Sequence, residues 1–144
     1  MEITDLQIND WVYDKSFTPS NFPCRIYSIE GRYPRRDKDF NDKPLIDVWV
    51  GDGFLSSHIE NIEPIPITIE ILTKNGFTKV NSQRYDYGCP DTDCYVKVNP
   101  KKNTINVNGR NANCNLYYHS FIHELQHSLR LCGLNELADN LKVE

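Results

Sequence analysis

Several features are missing from this sequence, and each absence narrows what it can be. No apolar run approaches the roughly 18 residues needed to span a bilayer. The opening MEITDLQIND has no basic stretch followed by an apolar one, so no secretory signal is expected. There is no internal repeat, no low-complexity tract and no Gly-rich phosphate loop. No Ser-His-Asp or Cys-His set stands at a spacing that suggests a nucleophile and its base. Excess positive charge is also lacking. The 16 Lys and Arg against 20 Asp and Glu leave a net charge of −4, with no overall pull toward nucleic acid or an anionic membrane. The five cysteines, Cys24, Cys89, Cys94, Cys114 and Cys132, are odd in number and irregularly spaced, which is not a disulfide framework. Buried or free thiols in a reducing, cytoplasmic setting are expected.

What is present suits a packed globular chain. Apolar residues make up 39% of the 144, charged residues 25% and aromatics 11%, too apolar for disorder. The length allows one domain, or two small lobes that share a core. The first half is β-rich. Trp11-Val12-Tyr13 and Cys24 to Ile29 read as strands, and Leu45 to Val50 (LIDVWV) is the best of them, with Gly51 and Gly53 beyond its end. Gly31 to Phe40 is polar and holds Pro34, so it reads as an exposed loop. These short strands predict a small sheet or SH3-like barrel over residues 1–63, with Trp11, Tyr13 and Trp49 in its core.

Residues 64–144 predict a helix–hairpin–helix lobe that joins the first in one compact unit. Pro64 and Pro66 make Ile62 to Thr68 a link in which a central strand is unexpected. Thr68 caps a short helix through Ile69, Ile71 and Leu72, and Asn75-Gly76 ends it. Tyr85 and Tyr87 flank Asp86 in a loop that suits a partner surface. Tyr95 to Val98 and Thr104 to Val107 alternate as a hairpin around Asn99 to Asn103. A long amphipathic helix runs from about Asn115 to Gly133, and a short one, capped by Asn135, closes the chain over Asn135 to Lys142. The fold class is α+β.

The long helix carries the strongest chemical signature. At 100° per residue, Tyr118, Phe121, Ile122, Leu125, Leu129 and Cys132 form one apolar stripe. His119, His123 and His127 recur at every fourth position, with Gln126 and Arg130 beside them, in a row turned away from that stripe. That row predicts a binding surface of His119, His123, His127 and Arg130, able to hold an anion. The string His123-Glu124-Leu125-Gln126-His127 also matches HExxH. Two imidazoles one turn apart hold a zinc ion there, and the intervening glutamate acts as general base on its water. In that reading His123 and His127 are ligands and Glu124 is catalytic. The third ligand is the difficulty. The chain has no histidine after His127, and Arg130 and Gly133 stand where a metzincin extension needs Gly and His. Glu136 and Asp139 follow closely, and His119 lies two turns from His127, about 12 Å away.

Two weaker constellations accompany it. Cys89-x4-Cys94 with Cys114-x4-His119 has the donor types of a structural zinc site, although Pro90 to Asp93 is also an ordinary turn. Arg32, Arg35, Arg36 and Lys38 cluster around Tyr33 and could meet phosphates, but Asp37 and Asp39 dilute them and a solvated loop is the simpler reading.

Three segments give the chain a resemblance. DLQINDWVY (5–13), IEPIPITIEILTKNGF (62–77) and FIHELQHSLRLCG (121–133) resemble a group of small phage and prophage proteins of gut anaerobes. The C-terminal motif of that group is hydrophobic–His–Glu/Gln–Leu–Gln, and the second histidine is not constant. The resemblance implies that Glu124 and His127 are not both required, which disfavours zinc hydrolysis. It implies a phage or mobile-element accessory factor in the host cytoplasm. Such a factor binds a host protein or a small, nucleotide-like ligand, needs no cofactor and counteracts host defence. The alternative is an HExxH zinc hydrolase. Membrane and nucleic acid are not expected partners.

Overall fold

A computed structural model of the chain describes residues 5–17, 22–30, 45–50, 52–89, 93–109, 112–117 and 120–144. The chain divides into two units, Met1–Ile65 and Pro66–Glu144. Each is a five-stranded sheet, and the helices belong to the second, so the class is α+β with antiparallel pairing throughout.

The first unit contains β1 (Trp11–Asp14), β2 (Phe22–Glu30), β3 (Leu45–Val50), β4 (Gly53–His58), a 3-10 turn at Ile59–Asn61 and β5 (Ile62–Pro64). The strand order is β4-β3-β2-β1-β5, so the chain meanders and its last strand returns to the first. Period-two alternation sends Val12, Cys24, Ile26, Ile46 and Val48 inward, where they form a core with Leu6 and Ile62. Pro64 sits on the edge strand β5, where a missing amide costs no interior ladder bond. Asp47 is buried, yet it accepts hydrogen bonds from Ser28 Oγ at 2.7 Å and Ser56 Oγ at 2.5 Å. Ser28 and Ser56 are its register partners on either side, so one carboxylate ties three strands together.

The second unit begins as expected. Thr68 Oγ1 accepts the Ile71 N–H at 3.2 Å and caps α1 (Ile69–Lys74). Asn75 closes it, and Gly76 takes φ +83, a left-handed conformation that favours glycine. Next come β6 (Thr78–Lys79), β7 (Tyr85–Cys89), β8 (Cys94–Asn99), β9 (Thr104–Gly109), β10 (Ala112–Tyr117), α2 (Ile122–Leu131) and α3 (Asn135–Asp139). The sheet order is β10-β9-β8-β7-β6.

The expected hairpin is therefore the centre of a larger sheet, and three expectations are corrected. Tyr85 and Tyr87 belong to strand β7 and not to an exposed loop. Tyr85 is buried, and the Tyr87 ring packs 5.3 Å from Phe77. The helix expected from Asn115 is shorter, because Ala112–Tyr117 pairs with β9, Cys114 lying opposite Val107 and Asn115 opposite Asn106. Ladder hydrogen bonds to a neighbouring strand outweigh a local helical pattern of asparagines, which are indifferent helix formers. Helix α2 spans 10 residues. The last helix starts after Leu134 and so includes Asn135 in its first turn.

Cys24 yields a pH prediction. Its thiol is buried and donates to the Val12 carbonyl at 3.6 Å. Burial, helped by the Asp14 carboxylate, pushes its pKa from 9.0 up to about 12. The folded thiol stays neutral where the unfolded one ionises. Its contribution is thus complete below pH 9.0 and is lost as the pH climbs toward about 12. Thermal melts of the wild type and Cys24→Ala should diverge least at high pH, the wild type losing stability more steeply above pH 9.0; parallel profiles would exclude this role.

Candidate functional site

Helix α2 is embedded in its unit. Ile122, Leu125 and Leu129 are fully buried, but so is Gln126, and His123 and Glu124 are only 4% and 8% exposed. The row expected to face away from the apolar stripe is therefore largely inside. The physical reason is that α2 is covered on more than one side, packing against β9 and also against α3. Polar groups on its second face then have to be satisfied within the protein. Gln126 Nε2 donates to the Ala138 carbonyl at 2.8 Å, Ser128 Oγ donates to the Glu124 carbonyl at 2.8 Å, and the Phe121 N–H donates to Glu124 Oε2 at 3.3 Å. That last bond makes Glu124 the third helical residue reaching back to the cap position, as in a capping box.

The remaining members of the row are nearer the surface. His127 is half-buried, and its ring stands 5.9 Å from that of His123 at 75°. His123 also stacks on Phe121, with centroids 5.9 Å apart and planes at 11°. Arg130 is half-buried and its guanidinium donates to Asp139 Oδ1 at 3.1 Å, which joins α2 to α3. Gly133 follows at φ +76 and turns the chain out of the helix. The two imidazoles of the HExxH string are thus neighbours. Among the described residues no group of three or more His, Cys, Asp or Glu side chains is placed to hold a metal ion.

His119 and the basic loop from Arg32 to Lys38 lie outside the described residues. Of the cysteine set, Cys89 and Cys94 are direct cross-strand partners at the end of the β7–β8 hairpin, while Cys114 pairs across β9. Among the described side chains, Cys94 Sγ meets a sulfur that the spacing argument did not include, Cys132 Sγ at 2.6 Å. Cys132 is the C-cap of α2, and only the packing of helix on sheet brings it there.

A second candidate lies on the first unit. Trp11, Arg25, Trp49 and Phe54 are successive register partners across four strands, and the Arg25 guanidinium lies 5.3 Å from the centre of the Trp11 ring. A register shift between Ile26 and Ser28 marks an irregularity in β2 at Tyr27. The Tyr27 ring contacts Trp49 at 4.7 Å and Phe54 at 4.9 Å. These three rings are 42%, 39% and 52% exposed, which corrects the expectation that Trp49 belongs to the core. The signal was in the strand itself: in LIDVWV the buried Ile46 and Val48 alternate with Asp47 and Trp49, so Trp49 shares the outer face.

Compared with protein-family models, curated proteins and solved structures, the chain matches none.

The Gln126 bond gives a prediction. Gln126→Leu keeps the volume but leaves a buried carbonyl without its donor, so it should cost about 1–3 kcal/mol and loosen α3. Thermal denaturation and amide exchange over Asn135–Asp139 would measure both; an unchanged melting temperature would show that the bond contributes nothing.

Proposed function

We propose that this protein is a phage or mobile-element accessory factor that works by binding a protein of the host inside the host cell, with the outer face of its N-terminal sheet as the contact surface. The carrying observation is the exposed ring cluster of Tyr27, Trp49 and Phe54. Large aromatics exposed together are costly in water and are characteristic of interface centres. The rings touch one another and leave no gap for a guest between them, so contact is through their outer faces, which suits a protein segment better than a small molecule.

The meander that returns β5 onto β1 supports reading this unit as an SH3-like barrel. A groove of about 600 Å³ in the same unit does not favour a nucleotide. It is lined by Lys15, Ile59, Glu60, Ile62, Glu63 and Pro64, and Lys15 Nζ already lies 3.0 Å from Glu63 Oε1. Two carboxylates against one paired lysine repel phosphate. In the described residues no helix is long and apolar enough to cross a membrane. The amphipathic helix contributes to this reading as scaffold: Glu124 serves as a cap, Gln126 as a tie and Arg130 as an ion-pair partner.

Trp49→Ala combined with Phe54→Ala should leave the circular dichroism and melting temperature nearly unchanged, because both side chains are exposed. It should reduce retention of the partner from host lysate at least about tenfold, as removing an aromatic hot spot does. Equal retention by the variant would overturn the surface assignment. The chain's two tryptophans both lie in this row, so partner addition should shift the tryptophan emission, and Trp11→Phe should preserve the shift. The zinc-hydrolase alternative makes the opposite forecast for α2. It requires about one zinc per chain and a hydrolytic activity abolished by Glu124→Gln. Under the binding reading Glu124→Gln keeps an acceptor for the Phe121 N–H, so stability changes little and partner binding persists.

A further inference from the structure

The Cys94 and Cys132 sulfurs stand 2.6 Å apart, closer than two unlinked sulfur atoms pack and not far beyond the roughly 2.05 Å of a disulfide bond. Cys94 is half-buried on β8 and Cys132 is buried at the end of α2. We propose that Cys94 and Cys132 are an oxidation site, forming a reversible disulfide by exchange with a small-molecule disulfide. The accessible member reacts first. The Cys94 thiolate attacks one sulfur of the reagent; a bond from Cys94 Sγ to that sulfur forms, the reagent's S–S bond breaks, and one thiolate leaves. The Cys132 thiolate then attacks Cys94 Sγ and displaces the second thiolate. Two protein thiols are oxidised, one reagent disulfide is reduced to two thiols, and the two protein protons end on the released thiolates or solvent.

The link closes a loop between residues separated by 38 positions and joins helix to sheet within the second unit. Oxidation therefore fixes the C-terminal end of α2, the end that Gly133 turns toward α3.

The test uses the full chain and oxidised glutathione. Intact mass should fall by two hydrogens, a non-reducing peptide map should join the Cys94 and Cys132 peptides, and the melting temperature should rise by roughly 10 °C and return with dithiothreitol. In Cys132→Ser the reaction should stop at a glutathione adduct on Cys94. Should that variant fail to fold, Cys94→Ser, which replaces the more exposed thiol, should show neither adduct at Cys132 nor internal link. Three results would overturn the proposal: a wild-type link between other cysteines, Cys89 and Cys94 above all since they are register partners across the hairpin; a stable glutathione adduct on wild-type Cys94 with no internal link; or bound zinc that protects both thiols until a chelator removes it.

Discussion

The five-stranded sheet of the second unit holds the fully buried Val96, Val98 and Ile105, and α2, whose Ile122, Leu125 and Leu129 are fully buried, packs against its β9 strand. Much else in that unit follows from this contact. Burying such side chains contributes roughly 1.5–3 kcal/mol each, far more than any one polar bond nearby. The helix therefore settles where its apolar residues are best covered, and its polar residues adapt. Gln126 is carried inside and bonds to the Ala138 carbonyl, which draws α3 over the helix. Arg130 meets Asp139 beside it, and Cys132 comes to rest on Cys94.

Within the HExxH string, Glu124 and Gln126 both take part in structural bonds. In a zinc hydrolase the glutamate has to face a metal-bound water, whereas here its carboxylate receives the Phe121 amide at the start of the helix. His123 lies between Phe121 and His127 with very little surface. A helix buried on more than one side favours polar residues that find partners inside the protein: Glu124 accepts the Phe121 N–H, Ser128 donates to the Glu124 carbonyl, and Gln126 reaches the Ala138 carbonyl.

Much of the local architecture was legible in the sequence because it depends on neighbours in the chain. The Thr68 cap, the Asn75-Gly76 stop and the strand pair Tyr95–Val98 and Thr104–Val107 each rest on interactions spanning a few residues. Distant pairing was not legible. Asn113 to Tyr117 carried no period strong enough to distinguish strand from helix, and β9 decided the matter. Tyr85 looked like loop because Gly88 and Asp86 accompany it, yet β8 recruited it into the sheet. Helical phase showed which side of α2 was most apolar, but not that α3 would bury another. The same gap hid the Cys94–Cys132 contact, whose members are 38 positions apart, while counting short cysteine spacings pointed to Cys89 and Cys114.

The two units thus use their unusual residues in opposite ways. In the second, His123, Glu124 and Gln126 are enclosed. In the first, groups that could have been enclosed are displayed. The difference traces to strand register. Asp47 holds Ser28 on one side and Ser56 on the other, which pins β2, β3 and β4 against slippage. A slip of one residue would exchange the faces of a strand and carry Trp49 inward in place of Val48. Burying a carboxylate costs several kcal/mol unless it is well bonded, so a clamp of this kind is an expensive way to stabilise a sheet already held by Val12, Ile26, Ile46 and Val48. The clamp also keeps in place the outer-face alignment of Arg25, Trp49 and Phe54, against which Tyr27 packs. Rings pre-positioned by strands lose less side-chain entropy in any contact than rings ordered at the moment of contact.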